Sequence, residues 1–394
     1  MLNQTLSYGS QTIDKKDIEG VVKVLKSSHL TQGKKTPLFE KKISNYVNSK
    51  YAVAVNSGTS GLHISCLALG LSNKDIVWTV PNSWVASANC ASLCGANVDF
   101  VDIDSDTLNI SVNKLELKLQ KAKKKNKLPK ILIPVHFAGN PYDQDKIFRL
   151  SKKYKFKIIE DAAHALGSKS KRRMIGSCSF SDLTVFSFHP LKSITTGEGG
   201  MITTNNKILY EKLLLLRSHG ITKENKKLWV KKFHKWYYEQ QSLGFNYRMS
   251  EIEAGLGLSQ LKKIKKFLSK RNILAKKYLF KLKDLNLNFQ KINKSSYCSF
   301  HLFIIKFPNS KKIINNYDKI FREFHKNKIA VMLHYFPIHL HPFYKKKGFK
   351  NGNFPITENY AKRSFSLPIY PSMSFSQQNR VVNIIKKVYK KFLD

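Results

Sequence analysis

Lys192 stands five residues after Ser187 in the stretch "FSFHPLKSITTGEGG", Phe186 to Gly200, between an apolar run and a turn of threonines and glycines. A lysine becomes a covalent catalyst when its neutral amine condenses with a carbonyl, and pyridoxal phosphate is the commonest carbonyl cofactor held that way. Such a cofactor makes three demands: a helix N-terminus for its phosphate, an acid for its ring nitrogen and a lysine for its aldehyde. Two upstream stretches answer the first two. In "AVAVNSGTSGLHISCLALG", Ala52 to Gly70, a strand runs into Asn56-Ser57-Gly58-Thr59-Ser60 and a helix is expected from about Gly61. Small hydroxyl residues and glycine there leave backbone N–H groups free for a phosphate, although capping by Thr59 or Ser60 alone would explain the same residues. In "KIIEDAAHALG", Lys157 to Gly167, a buried-looking run ends in Glu160-Asp161, with His164 three residues further on. A carboxylate at the C-terminal end of a parallel strand points into the crevice where α/β proteins bind ligands. Its plainer use is as another helix cap.

The elements that must hold these residues alternate along the first two thirds of the chain. Strands are expected at Tyr51 to Val55, Ile76 to Val80, Val98 to Ile103, Lys130 to Phe137, Lys157 to Asp161, Leu183 to Phe188 and Gly200 to Thr204. Several are apolar on both faces, as in a buried, largely parallel sheet. A helical period covers Asp143 to Tyr154, and two amphipathic helices precede the sheet, one through Ile18, Val21, Val22 and Leu25, the other through Phe39, Ile43, Tyr46 and Val47, opened by Thr36 and Pro37. From about Ser250 the pattern changes to a long basic helix reaching roughly Leu282, a strand His301 to Phe307, a helix near Lys311 to Asn327, a strand Ala330 to Tyr335 and a terminal helix. The expected fold is α/β, with a large domain over residues 1–255 and a smaller α+β domain over 256–394 that includes the long connecting helix.

Charge is the most conspicuous property of the 394-residue chain: 69 Lys and Arg against 26 Asp and Glu, a net +43. The excess is spread over the whole length and no aromatic stacking platform accompanies it, so it reads as solvated surface rather than a nucleic-acid site. The joint enrichment in Lys, Asn, Ile, Phe and Tyr is the residue set an AT-rich genome favours. Five cysteines, Cys66, Cys90, Cys94, Cys178 and Cys298, form neither an even disulfide framework nor a CxxC pair. Cys90 and Cys94 share a helix face, and read as small buried residues. The N-terminal residues lack a leader pattern and no apolar run approaches a membrane span, so a cytoplasmic protein without membrane contact is expected.

The successive blocks "LTQGKKTPLFE", "NSGTSGL", "PNSWVASAN", "EDAAHALGS", "FSFHPLKSITTGEGG", "LRSHG", "NYRMSEIEAGLGLSQL" and "HYFPIHLHPFY" resemble those of the DegT/DnrJ/StrS sugar aminotransferases, from about Leu30 to Tyr344. The resemblance implies an aspartate-aminotransferase-like fold of type I and pyridoxal 5'-phosphate as cofactor. It implies Lys192 as the Schiff-base lysine, Asp161 as partner of the ring nitrogen, Thr59, Ser60 and Ser187 as phosphate ligands, and Trp84 stacked on the ring. It places His164 near the ring hydroxyl. Asn246 or Arg248 falls in the segment that reaches a neighbouring subunit's phosphate, which implies a homodimer with shared sites. Ser193 stands where relatives often carry Pro or Asn.

The likeness is greatest to the branch that makes UDP-4-amino-4,6-dideoxy-N-acetyl-β-L-altrosamine for pseudaminic acid. It implies transfer of an amino group from L-glutamate to C4 of a UDP-linked 4-keto-6-deoxy-N-acetyl-hexosamine, the alternative being another UDP- or dTDP-linked keto sugar. Retention of Lys192 speaks against a dehydratase on the same fold. By family position His189, His334 and Tyr335 are sugar-side contacts, and Arg248 is a candidate anchor for the donor's carboxylate. The histidines His334, His339 and His341 are close in sequence, but nothing in this chemistry asks for a metal.

Overall fold

The computed structural model describes residues 5–224, 228–230 and 234–393, so the first four residues of the N-terminal stretch lie outside the described part. Seven strands build one sheet: β1 (Tyr51–Val55), β2 (Ile76–Thr79), β3 (Asn97–Phe100), β4 (Ile131–Ile133), β5 (Lys157–Asp161), β6 (Leu183–Ser187) and β7 (Gly200–Thr204). Their order is β1-β7-β6-β5-β4-β2-β3. The pairs β2/β3, β2/β4, β4/β5 and β5/β6 are parallel, while β7 runs antiparallel between β1 and β6. Alternate residues feed cores on opposite faces. Val53, Val55, Ile131, Ile133 and Ile159 enter one apolar cluster, whereas Ala52 and Ala54 enter a second and Leu132 and Ile158 a third. That is why these segments read as continuous apolar runs.

Four helices matter to the site: α1 (Lys15–Leu25), α2 (Lys35–Val47), α3 (Gly58–Ala68) and α4 (Ala86–Leu93). α2 starts one residue before the expected Thr36. Its free N–H groups at Lys35 and Thr36 donate to the buried Glu251 carboxylate at 2.6 and 3.0 Å, so the cap comes from far along the chain.

The last third departs from expectation in three places. The long basic helix is two, Glu251–Leu261 and Ile264–Lys281, divided at Lys262 and Lys263. The segment expected as a strand at Ala330 to Tyr335 forms only one isolated bridge, Met332 to Ser366. Phe303–Lys306 pairs with Ser364–Leu367 on one edge and Asn288–Phe289 on the other, and the helical region near Lys311 divides into Lys311–Asn315 and Tyr317–Lys326. These pieces enclose a separate apolar cluster with Leu274, Tyr278, Phe303, Ile305, Ile320, Phe324, Phe365, Val381 and Ile385. Among the described residues no helix is long and apolar enough to cross a membrane.

Candidate active site

β5 and β6 are parallel neighbours, and their C-terminal residues, Asp161 and Ser187, open toward the same edge of the sheet. Asp161 is 5% exposed. Its Oδ2 accepts a 2.6 Å hydrogen bond from the Ser87 hydroxyl on α4, and its Oδ1 accepts from the Ala163 N–H at 3.1 Å. Ser83 lies 2.8 Å from the Ser87 hydroxyl and holds it in turn. Two hydrogen bonds hold the carboxylate in one orientation. The adjacent Glu160 points to the other face of the strand, as period two requires. There it accepts from Tyr142 at 2.9 Å, from Thr184 at 2.7 Å and from Gln144, so only Asp161 is available to the cleft.

The N-terminus of α3 lies directly against the end of β6. α3 begins at Gly58 rather than near Gly61, and its cap is Ser57, whose Oγ accepts from the Ser60 N–H at 3.0 Å. Capping is thus assigned to neither Thr59 nor Ser60. The Thr59 side chain is exposed and carries no cap bond, while the buried Ser60 hydroxyl donates to Asn56 Oδ1 at 2.6 Å. A Cβ built on Gly58 would sit 3.0 Å from Ser187 Cβ, so glycine is what lets the helix start and the strand end approach so closely. The first N–H groups of α3, unpaired within the helix, open beside Ser187, a setting that favours an anion.

Lys192 lies in the turn after β6, its N–H bonded to the His189 carbonyl at 2.9 Å. Burial pushes its amine down to about 8 from the ordinary lysine range, opposed by the negative charges of Asp161 and Glu198. At pH 8 that makes the nucleophilic neutral form about 100-fold more abundant than for a free lysine.

Three histidines close the other side. His164 accepts the Ala138 N–H on Nδ1 at 3.2 Å, which puts the proton of the neutral ring on Nε2, facing Tyr335 Oη at 3.1 Å. The His301 ring lies 4.3 Å from it, with Nδ1 buried and unpartnered. His334 bonds Ser366 Oγ at 2.8 Å. Burial, then Lys192, push His334 down to about 3; burial also drives His164 and His301 well below the usual imidazole range. All three rings are neutral near pH 7, leaving Lys192 as the group poised to exchange a proton.

The remaining expected residues divide. Trp84 is 61% exposed and leans on Tyr335 with ring centroids 5.9 Å apart, leaving most of its surface open. His189 is exposed next to Lys192, whose charge joins partial burial in lowering its imidazole. Asn246 is exposed and joined to Ser218 by a backbone bridge. Arg248 keeps a buried Nε without a partner. Ser193, the departure noted in the sequence, is buried with its hydroxyl unpartnered. His339 turns to Glu358 at 2.9 Å and His334 to Ser366, so the histidines of the metal question serve separate partners. Ser87 and His301 were not legible as site residues: a serine inside "PNSWVASAN" and a histidine opening a strand have no spacing signature.

The residues present fit pyridoxal phosphate. The cradle at Gly58 and Ser187 suits its phosphate, the anchored Asp161 suits a protonated ring nitrogen, and the Lys192 amine suits an aldehyde. Residues 11–386 match the DegT/DnrJ/EryC1/StrS aminotransferase family. The chain is 38% identical to the UDP-4-amino-4,6-dideoxy-N-acetyl-beta-L-altrosamine transaminase of Campylobacter jejuni strain 81-176 over 98% of this chain and 99% of that protein. PseC of Helicobacter pylori, an aminotransferase involved in the biosynthesis of pseudoaminic acid, superposes with a TM-score of 0.88 at 31% identity, covering 99% of this chain and all of that one (100%). A Streptococcus pneumoniae chain described as a sugar aminotransferase, in its PLP form, superposes with a TM-score of 0.89 at 27% identity, over 99% of this chain and 100% of that one. The chain therefore belongs to the DegT/DnrJ/EryC1/StrS aminotransferase family and is a pyridoxal-phosphate-dependent nucleotide-sugar aminotransferase of fold type I.

Proposed function

We propose that this aminotransferase moves an amino group from L-glutamate to C4 of a UDP-linked 4-keto-6-deoxy-N-acetyl-hexosamine, giving UDP-4-amino-4,6-dideoxy-N-acetyl-β-L-altrosamine. The observation that carries the amino-transfer half is the Lys192 amine, lowered to about 8 beside an anchored Asp161. The sugar half rests on the names of the Campylobacter and Helicobacter proteins.

In this reading Thr59, Ser60 and Ser187 hold the cofactor's phosphate, Asp161 its ring nitrogen, Trp84 one face of its ring and His164 the side of its ring hydroxyl. Bound there, pyridoxal phosphate supplies an electron sink that makes a C–H bond of the amino donor acidic. Lys192 would take that proton from the donor's α-carbon and deliver it to the carbon on the far side of the intervening nitrogen, and on the sugar half it would run the same transfer in reverse. Asp161 stays paired with the ring nitrogen, and the neutral His164 keeps its Nε2–H as a donor. The other histidines exclude a competing base. His189, His334 and Tyr335 face the sugar.

The active unit is a homodimer in which Asn246 or Arg248 reaches the phosphate of the neighbouring copy's site. The buried, unpartnered Nε of Arg248 is what a second chain or an anionic ligand would satisfy. Residues 1–255 form the cofactor-binding domain and 256–394 the smaller one.

The test is direct. The enzyme is loaded with L-glutamate until the cofactor's absorbance changes, and keto sugars are added one at a time. The UDP-linked 4-keto-6-deoxy-N-acetyl sugar should restore the original absorbance with the highest kcat/KM. A higher value for a dTDP-linked sugar, or for a keto group at another carbon, would replace this substrate with that one.

A further inference from the structure

The hydrogen bonds around His164 decide which member of the His164–Tyr335 pair keeps a free proton. The Ala138 N–H occupies Nδ1 at 3.2 Å, so the one proton of the neutral ring sits on Nε2 and is donated to Tyr335 Oη at 3.1 Å. A phenol that accepts this bond still has its own O–H to give. Among the described residues no acceptor for that proton is present. Burial pushes the phenol up from the ordinary tyrosine range, so the proton stays on it. His164 has therefore used its only N–H, while Tyr335 retains a neutral donor.

Tyr335 is clasped by the two segments that orient Asp161. The peptide bond between His334 and Tyr335 is held at both ends: its carbonyl accepts from the Tyr360 hydroxyl at 2.5 Å, and its N–H donates to Asn82 Oδ1 at 3.2 Å. Asn82 belongs to the loop that leads into α4, as does Trp84, whose ring packs on Tyr335. That loop continues to Ser87, the donor to Asp161 Oδ2. On the other side, His164 follows Asp161 by three residues, and the intervening Ala163 N–H is the second donor to the same carboxylate. The His301 ring lies 4.3 Å from the His164 ring and packs it in place. The half-buried Tyr335 side chain thus belongs to the Asp161 side of the cleft.

We propose that Tyr335, alongside its contact with the sugar, donates a hydrogen bond to the ring hydroxyl oxygen of bound pyridoxal phosphate, and that His164 acts on that oxygen only through Tyr335, as a positioning residue. The proposal rests on the reading above, in which the ring nitrogen meets Asp161 and the ring hydroxyl lies on the His164 side. In pyridoxal phosphate that hydroxyl is on the ring carbon next to the one bearing the aldehyde, which is where Lys192 attaches. A donor to the ring oxygen draws negative charge away from the neighbouring nitrogen that links Lys192, and makes that nitrogen less basic.

The experiment loads the full-length wild type and Tyr335→Phe with pyridoxal phosphate or with 3-deoxypyridoxal phosphate, which lacks the ring hydroxyl, and measures affinity by equilibrium dialysis. Tyr335→Phe should bind pyridoxal phosphate about 10-fold more weakly than wild type and the 3-deoxy cofactor equally well. A change that merely loosens the packing weakens both alike. In a spectrophotometric pH titration of the loaded proteins, Tyr335→Phe should move the midpoint of the cofactor's colour change up by about one unit. His164→Leu should move it less, and His164→Gln, which keeps an amide N–H, should stay closest to wild type. Equal losses with both cofactors, or a full shift in His164→Leu and none in Tyr335→Phe, would overturn the proposal. If Tyr335→Phe does not fold, the histidine 15N shifts of the wild-type holoenzyme decide: a His164 protonated on Nε2 supports the relay, and one protonated on Nδ1 overturns it. Borohydride reduction of each loaded protein tells this failure from that of the underlying reading. An adduct on Lys192 with no Tyr335 effect removes the donor alone, whereas no adduct on Lys192 removes the cofactor site itself.

Discussion

The Ser87 hydroxyl, on α4, donates a 2.6 Å hydrogen bond to Oδ2 of Asp161, at the end of β5. With the Ala163 N–H on the other oxygen, it fixes the direction of a buried carboxylate to which, among the described residues, no lysine or arginine is bonded. Ser87→Ala leaves that oxygen short of a donor in a site water reaches poorly, at a cost of about 1–3 kcal/mol. Urea unfolding of the apo protein should show a loss of that size, and kcat should fall together with it because Asp161 is no longer aimed. Unchanged stability and unchanged kcat would remove Ser87 from the site.

Gly58 is required by the approach of α3 to β6. Alanine there brings a methyl group to 3.0 Å from Ser187 Cβ, so helix and strand must part by a few tenths of an ångström. Gly58→Ala should weaken retention of pyridoxal phosphate by roughly 10-fold, about 1.4 kcal/mol, with little effect on apo stability. Equilibrium dialysis of the cofactor measures this, and equal affinity for both proteins would mean that the cradle lies elsewhere.

Acid should destabilise the fold below about pH 6.5. His334 is lowered to about 3 in the folded chain, so between there and 6.5 the unfolded chain binds the extra proton and stability falls as pH falls. Between pH 6.5 and 5 this amounts to about 2 kcal/mol for His334 alone, and His164 and His301 act in the same direction. Urea midpoints taken at pH 7 and pH 5 test it. The triad account requires a clear drop, recovered in part by His334→Gln, and a flat profile contradicts it.

Lys192 sets a pH dependence of the opposite edge. Its amine, lowered to about 8, is cationic and unreactive below that value and neutral above it. The rate at which apo protein takes up pyridoxal phosphate should rise with pH through an inflection near 8, and Asp161→Asn, which removes a charge that favours the cation, should move the inflection down. An inflection near 10 would mean that the lysine is solvated.

Much of the fold was legible because its strands are buried on both faces. All seven sheet strands were found from apolar runs such as "YAVAV" and "KIIED", and their ends differ from expectation by only a few residues. Misreadings cluster where tertiary contacts override local pattern. "AVMLHY" has strand-forming residues, yet both edges of Phe303–Lys306 are taken, by Ser364–Leu367 and Asn288–Phe289, and the segment makes only the bridge from Met332 to Ser366. The polar "SFSL" gave no strand signal of its own, and all four of its residues are buried by the core around it. In the site, Asp161 stood out because a charge at the end of an apolar strand is unusual, and Lys192 because it follows Ser187 by five residues in the turn before a threonine- and glycine-rich stretch. Ser87 and His301 did not, since their importance lies in what they touch across the chain. Three hydroxyl residues compete for the cap within "NSGTS", and only the Ser60 N–H bond to Ser57 Oγ chooses among them.

The central claim is that Lys192 is the lysine that takes the cofactor. Cofactor-loaded enzyme is reduced with borohydride, digested and sequenced by mass spectrometry, with Lys192→Ala treated in parallel. The account predicts a single pyridoxyl phosphate adduct on the peptide containing Lys192, no adduct in the variant, and a loss of turnover of at least roughly 100-fold. An adduct on another of the chain's many lysines, or near-normal turnover without Lys192, would contradict it.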